Sequence, residues 1–68
     1  MDKYYVDINT MLGGGHEVHC CECSHLPNKE NMIYLGFFSN CKEAIAEAKK
    51  HYENVYGCKH CCSKCHRN

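Results

Sequence analysis

Tyr56-Gly57-Cys58-Lys59-His60-Cys61-Cys62-Ser63-Lys64-Cys65 carries four of the chain's eight cysteines, and its reading decides the fold. A second knot, His19-Cys20-Cys21-Glu22-Cys23, stands near the start, and Cys41 lies alone between the two. Eight cysteines in 68 residues are far outside ordinary globular usage, so the thiols either pair as disulfides or bind metal. The stretch Met1-Asp2-Lys3-Tyr4-Tyr5-Val6-Asp7-Ile8 has no basic segment followed by an apolar core of the secretory kind. The longest apolar runs, around Met32 to Phe38, are too short to span a membrane. A soluble cytoplasmic protein is therefore expected, and in reducing cytosol cysteines at C-x-x-C spacing favour zinc over a disulfide.

Size makes the same demand. A chain below about 70–80 residues seldom draws more than ~3–5 kcal/mol from its hydrophobic core, whereas structural zinc contributes an apparent ~10–16 kcal/mol in small fingers. One domain, residues 1–68, is expected. Eight Lys plus Arg balance eight Asp plus Glu, so no strong field draws the chain to nucleic acid or to an anionic membrane.

Residues 3–10 alternate, with Tyr4, Val6 and Ile8 on one side and Lys3, Tyr5, Asp7 and Asn9 on the other, which is strand period. Gly13-Gly14-Gly15 supplies a turn, and His16 to Cys20 returns as the second strand of a hairpin. A phosphate-binding role for the triplet is disfavoured, because no Lys-Ser/Thr follows it. Residues 24–31 form a polar loop around Pro27, and Met32 to Phe38 is an apolar run of strand length. Ser39 or Asn40, with Glu43, makes a capping-box start for a helix. Cys41, Ala44, Ile45, Ala48 and Tyr52 give that helix an apolar stripe, and Gly57 offers its stop. The expected architecture is α+β: a small zinc-stapled domain in which an N-terminal β-hairpin and a third short strand pack on one α-helix, ending in a Cys-rich turn or short helix.

Zinc takes four tetrahedral Cys or His ligands, paired two to four residues apart so that one tight turn presents both. Cys58 and Cys61 form the clearer pair. At the N-terminal knot Cys23 pairs with either Cys20, as C-x-x-C, or His19, as H-x-x-x-C. The 34 residues 24–57 lie between the pairs, so the metal ties the hairpin to the far end of the helix.

The order His19-x-x-x-Cys23, then Asn31 with apolar Met32 to Phe38, Ser39, Glu43-Ala44 and Tyr56-Gly57-Cys58-Lys59-His60-Cys61, resembles the zinc-binding N-terminal domain of the Ada DNA-repair methyltransferase. It is similar also to related small metal-binding modules appended to some nucleases. The resemblance spans roughly residues 19–61 and implies ligands at position 19, Cys23, Cys58 and Cys61. In the Ada domain the first ligand is a cysteine that accepts a methyl group from a DNA phosphotriester. Position 19 is His in this chain, and zinc-bound imidazole is not a comparable nucleophile, so the resemblance implies the metal fold and not the repair chemistry.

Cys41, on the helix stripe, reads as a small buried hydrophobe. If residues 58–65 coil into a short helix, Cys58, Cys61, Cys62 and Cys65 share one face. Cys62 and Cys65 then either offer alternative ligands, line the core, or join His66 in a second site with Cys20 or Cys21. Glu22 beside the metal suggests a general base, yet four protein ligands leave no position for a water. The expected function is thus non-catalytic: a monomeric zinc-stabilised module whose Tyr4, Tyr5 and Phe37 aromatics meet a protein or nucleic-acid partner, with no small-molecule substrate. A thiol enzyme, either alkyl-accepting or redox, is the alternative, and a disulfide-stapled secreted miniprotein is a third.

Overall fold

Strand alternation places Tyr4 and Val6 on the buried side of the first strand, β1 (Asp2–Asp7), at 6% and 0% exposure. The second strand, β2 (His16–Cys20), runs antiparallel to β1 with Tyr4 opposite Cys20 and Tyr5 opposite His19. These belong to a computed structural model of the chain, in which residues 1–66 are described. On the other side of β1 lies the antiparallel β3 (Met32–Phe38), and β4 (Val55–Gly57) joins β2 in parallel. The mixed sheet therefore has the order β3-β1-β2-β4. Among the described residues one helix, α1 (Cys41–Ala48), packs across all four strands, and there are two short 3-10 turns, Lys29–Asn31 and Ser63–Cys65. Among the described residues no helix is long and apolar enough to cross a membrane.

The core lies between the sheet and α1, where Ala44 and Ala48 are fully buried against Tyr4, Val6, Val18, Leu35 and Cys62. Small side chains on the buried stripe let the helix sit close to the sheet. Asn40 caps it, its Oδ1 accepting the Glu43 N–H at 3.1 Å. The Glu43 carboxylate returns to Ser39, accepting from its N–H at 3.0 Å and its hydroxyl at 2.9 Å, so Asn40 is the cap and Ser39 fixes the Glu43 side chain.

Four expectations need correction. Ile8 lies beyond β1 and is 38% exposed, because the Asp7 carboxylate accepts the Asn9 N–H and turns the chain there. Tyr4 is a core residue and contributes nothing to a surface patch. Cys41 is bonded to Cys65 in a disulfide that joins the start of α1 to the C-terminal turn, so it is not a lone hydrophobe. The helix stops at Ala48 and not near Gly57. Its end loosens into turns, and the chain then bends so that the Asn54 carbonyl accepts the His16 N–H at 2.9 Å while the Tyr52 ring stacks on His16 at 3.7 Å. That bend delivers β4.

Gly57, read from sequence as a helix stop, is a strand residue for a steric reason. A Cβ there would lie 2.5 Å from the Cys62 carbonyl oxygen and 2.7 Å from the Cβ atoms of Cys62 and Cys65. The cysteine-rich tail folds back directly over it. Gly15 plays a related part in the β1–β2 connection: its φ is +86°, and a Cβ would meet the Tyr56 ring at 2.7 Å.

Candidate metal centre

Period two along β2 turns His19 to the face opposite Val18 and Cys20, away from α1. The parallel ladder continues past β4 through the Cys58 N–H, which donates to the Val18 carbonyl at 2.9 Å. Cys58 thereby enters the same end of the sheet as His19. Past β2 a turn closed by the Cys23 N–H on the Cys20 carbonyl brings Cys23 back, and a second turn, closed by the Cys62 N–H on the Cys58 carbonyl, presents Cys61. The result is one group, His19, Cys23, Cys58 and Cys61, whose donor atoms all lie within 4.8 Å of one another. Of the two candidates at the N-terminal knot, His19 lies in this group; Cys20 lies behind it, on the helix side, its N–H donating to Cys61 Sγ at 3.4 Å.

The geometry suits a tetrahedral ion. Two sulfurs each ~2.3 Å from a tetrahedral zinc stand about 3.8 Å apart, and Cys23 Sγ and Cys58 Sγ are separated by 3.8 Å. Each cysteine opens an equivalent knuckle: the His25 N–H donates to Cys23 Sγ at 3.3 Å, and the His60 N–H donates to Cys58 Sγ at 3.4 Å. Such donors favour sulfur in its charged, ligating form. The repeated Cys-x-His of Cys23-Ser24-His25 and Cys58-Lys59-His60 is the sequence trace of this likeness, which the ligand spacing alone does not bring out. The rings of His25 and His60 are exposed and stack on each other at 3.9 Å over the two knuckles.

His19 is the decisive residue. It is 2% exposed, and neither ring nitrogen has a hydrogen-bond partner. A buried polar group left without a partner costs roughly 1–3 kcal/mol, and an imidazole offers two such groups. Glu17 Oε1 lies 3.6 Å from Nε2, too far for a hydrogen bond. Burial is the largest influence on the ring and pulls its pKa down, against the opposing carboxylates of Glu17 and Asp7, so the imidazole is neutral and this contact is not an ion pair. A neutral imidazole among three sulfurs is a metal ligand in waiting; the donor set fits a thiophilic divalent ion, and these four residues can hold one.

The thiols show the matching penalty. Burial raises the Cys23 pKa, while the His25 N–H and the Cys61 sulfur partly offset it. Burial likewise pushes the Cys61 thiol up, against the Cys20 N–H that lowers it. Without an ion these two sulfurs keep their protons at neutral pH. Cys61 is also the one member of the four that is not buried, and it borders a cleft with Tyr4, Asn40, Cys41 and Cys62.

The other cysteines separate cleanly. Cys21 is exposed, Cys62 is buried with its Sγ 3.8 Å from Cys61 Sγ, and Cys65 is held by Cys41. His66 does not meet Cys62 and Cys65 in a metal cluster: its Nδ1 lies 3.1 Å from the Gly57 carbonyl oxygen. Glu22 is exposed and lies outside the four-residue group. Comparison with protein-family models, with curated proteins and with solved structures returned no match to this chain.

Proposed function

We propose that this chain is a structural zinc-binding module, clasped by His19, Cys23, Cys58 and Cys61, that holds a small sheet in shape for contact with a partner. The observation that carries this reading is the buried, partnerless imidazole of His19 set among three sulfurs. Zinc is favoured over other ions by the donor set, because three thiolates and one imidazole in a tetrahedron are a standard structural zinc arrangement. The ligand order is also the one implied by the resemblance to the Ada zinc domain, with His in place of the methyl-accepting cysteine.

Four protein donors close the coordination sphere, which favours a structural over a catalytic ion. The thiol-enzyme reading rests on Cys61, the ligand that borders the cleft. Burial opposes it by holding that sulfur protonated until a metal binds. The partner-facing surface in this reading is β3, the longer edge strand, where Tyr34 and Phe37 are 52% and 55% exposed and Tyr34 packs on Tyr5 at 5.4 Å. Zero net charge favours a protein over a nucleic acid there.

Metal analysis with thiol alkylation under native conditions tests the proposal. One tightly held zinc on the clasp, lost together with it in Cys23→Ser, is the expected result. A folded protein that binds no zinc would overturn it, and a zinc-loaded protein in which Cys61 alkylates far faster than every other thiol would favour the enzyme.

A further inference from the structure

Outside the clasp, Cys20, Cys41 and Cys62 lie on the helix side of the sheet, and Cys65 is bonded to Cys41 there. Cys62 is 3% exposed and part of the core, Cys20 and Cys41 pack against that core, and Cys41 is joined to Cys65 with Cα atoms 6.5 Å apart. Cys62-Ser63-Lys64-Cys65 repeats the C-x-x-C spacing of Cys58 and Cys61, and the Cys65 N–H closes the turn on the Cys62 carbonyl at 2.9 Å. Cys65 and Cys62 both press on Gly57, so the turn is held over the end of β4.

Adjacent residues divide between the two sides. Along β2 His19 serves the clasp while Cys20 faces the helix; in the tail Cys61 serves the clasp while Cys62 enters the core. We propose that Cys20, Cys41, Cys62 and Cys65 form a second, all-thiolate zinc site in the reduced protein, and that the Cys41–Cys65 disulfide is the metal-free alternative state of the same sulfurs. The count of cysteines fits this division, with only the exposed Cys21 left over.

The interconversion balances. A dithiol reductant passes two electrons and two protons to Cys41 and Cys65 and closes to its own disulfide; zinc then displaces the thiol protons of the four cysteines into solvent. Four thiolates around a divalent ion leave two negative charges. Lys64 borders the cleft shared by Cys41 and Cys62, and Lys42 and Lys64 border the one beside Cys65, so cations stand where that charge would develop. The 3.8 Å between Cys61 Sγ and Cys62 Sγ sets the two sites side by side.

The test is zinc stoichiometry on the full chain, oxidised and after reduction with a trialkylphosphine, which takes its oxygen from water and does not compete for the ion. The expected ratio rises two-fold, from about one zinc per chain to about two. Cys41→Ser returns the reduced protein to one, Cys21→Ser leaves it at two, and His19→Ala removes the clasp equivalent while the second remains. A reduced wild-type chain that holds one zinc, or a Cys41→Ser chain that still holds two, overturns the proposal without touching the clasp, which the oxidised protein reports alone. X-ray absorption on the reduced wild type, independent of any variant's folding, should count more than three sulfurs per zinc; three or fewer sinks the second site.

Discussion

His19 and Cys20 differ by one position and by the whole of their surroundings. Sequence spacing admits either beside Cys23, since H-x-x-x-C and C-x-x-C both suit a tight turn. What separates them is the face of β2 each occupies, and that depends on the Tyr5–His19 register across to β1, which no local motif encodes. The consequence is measurable as proton release. Burial lowers the His19 pKa, so the ring is already neutral at pH 7 and gives up no proton on binding. Burial raises Cys23 and Cys61, so each must lose one. Zinc binding at neutral pH should therefore release at least two protons, and affinity should fall as pH falls, by at least about a hundred-fold per pH unit. Calorimetry in buffers of different ionisation enthalpy checks the count; a release below one proton would remove Cys23 and Cys61 from the ligand set. His19→Cys, which keeps a zinc ligand at the position, should retain the metal and add a released proton, whereas His19→Ala should lose the clasp ion.

At the scale of elements, β4 was invisible in the sequence while α1 was plain. The helix announces itself through its cap and its apolar stripe, of which the cap and the buried Ala44 and Ala48 operate as read, while Cys41 is in a disulfide and Tyr52 lies beyond the helix: Asn40→Ala should cost about 1 kcal/mol by removing the acceptor for the Glu43 N–H, measured by chemical denaturation of the metal-loaded protein. Val55–Gly57 has three residues, too few to show alternation, and its glycine imitates a helix stop. Its identity comes from β2 alongside and from the tail that covers Gly57. Gly57→Ala should consequently destabilise by ~1–3 kcal/mol or more, because the atoms it meets are the Cys62 carbonyl and two Cβ atoms rather than a flexible side-chain end. Gly14→Ala is the control. Nothing stands within 4 Å of a Cβ there, and only its φ of +90° is strained, so its cost should be near ~1–2 kcal/mol and independent of the metal. If Gly57→Ala proves no worse than Gly14→Ala, the close approach of the tail is not a constraint on the fold.

For the whole molecule, the disulfide is one closure of a small core and the proposed zinc clasp is a second, of different strength. The clasp joins β2 and its following turn to the knuckle after β4, while the disulfide joins the start of α1 to the tail across a sequence separation of 24. The clasp's elements were legible as two ligand pairs, His19 or Cys20 with Cys23, and Cys58 with Cys61. The disulfide was not, because nothing local to Cys41 distinguishes a core thiol from one whose partner arrives with the tail. A loop of that size contributes ~3–4 kcal/mol through the unfolded chain's lost entropy, whereas a structural zinc contributes an apparent ~10–16 kcal/mol. A core this small has little stability in reserve. Chelation with the disulfide intact should thus abolish the cooperative thermal transition, while Cys41→Ala/Cys65→Ala, metal-loaded, should keep one and shift its midpoint downward. Circular dichroism through the melt reads both. The reverse order, a fold that survives a strong chelator but collapses when the disulfide alone is removed, would make the disulfide the principal staple and reduce the clasp to an accessory.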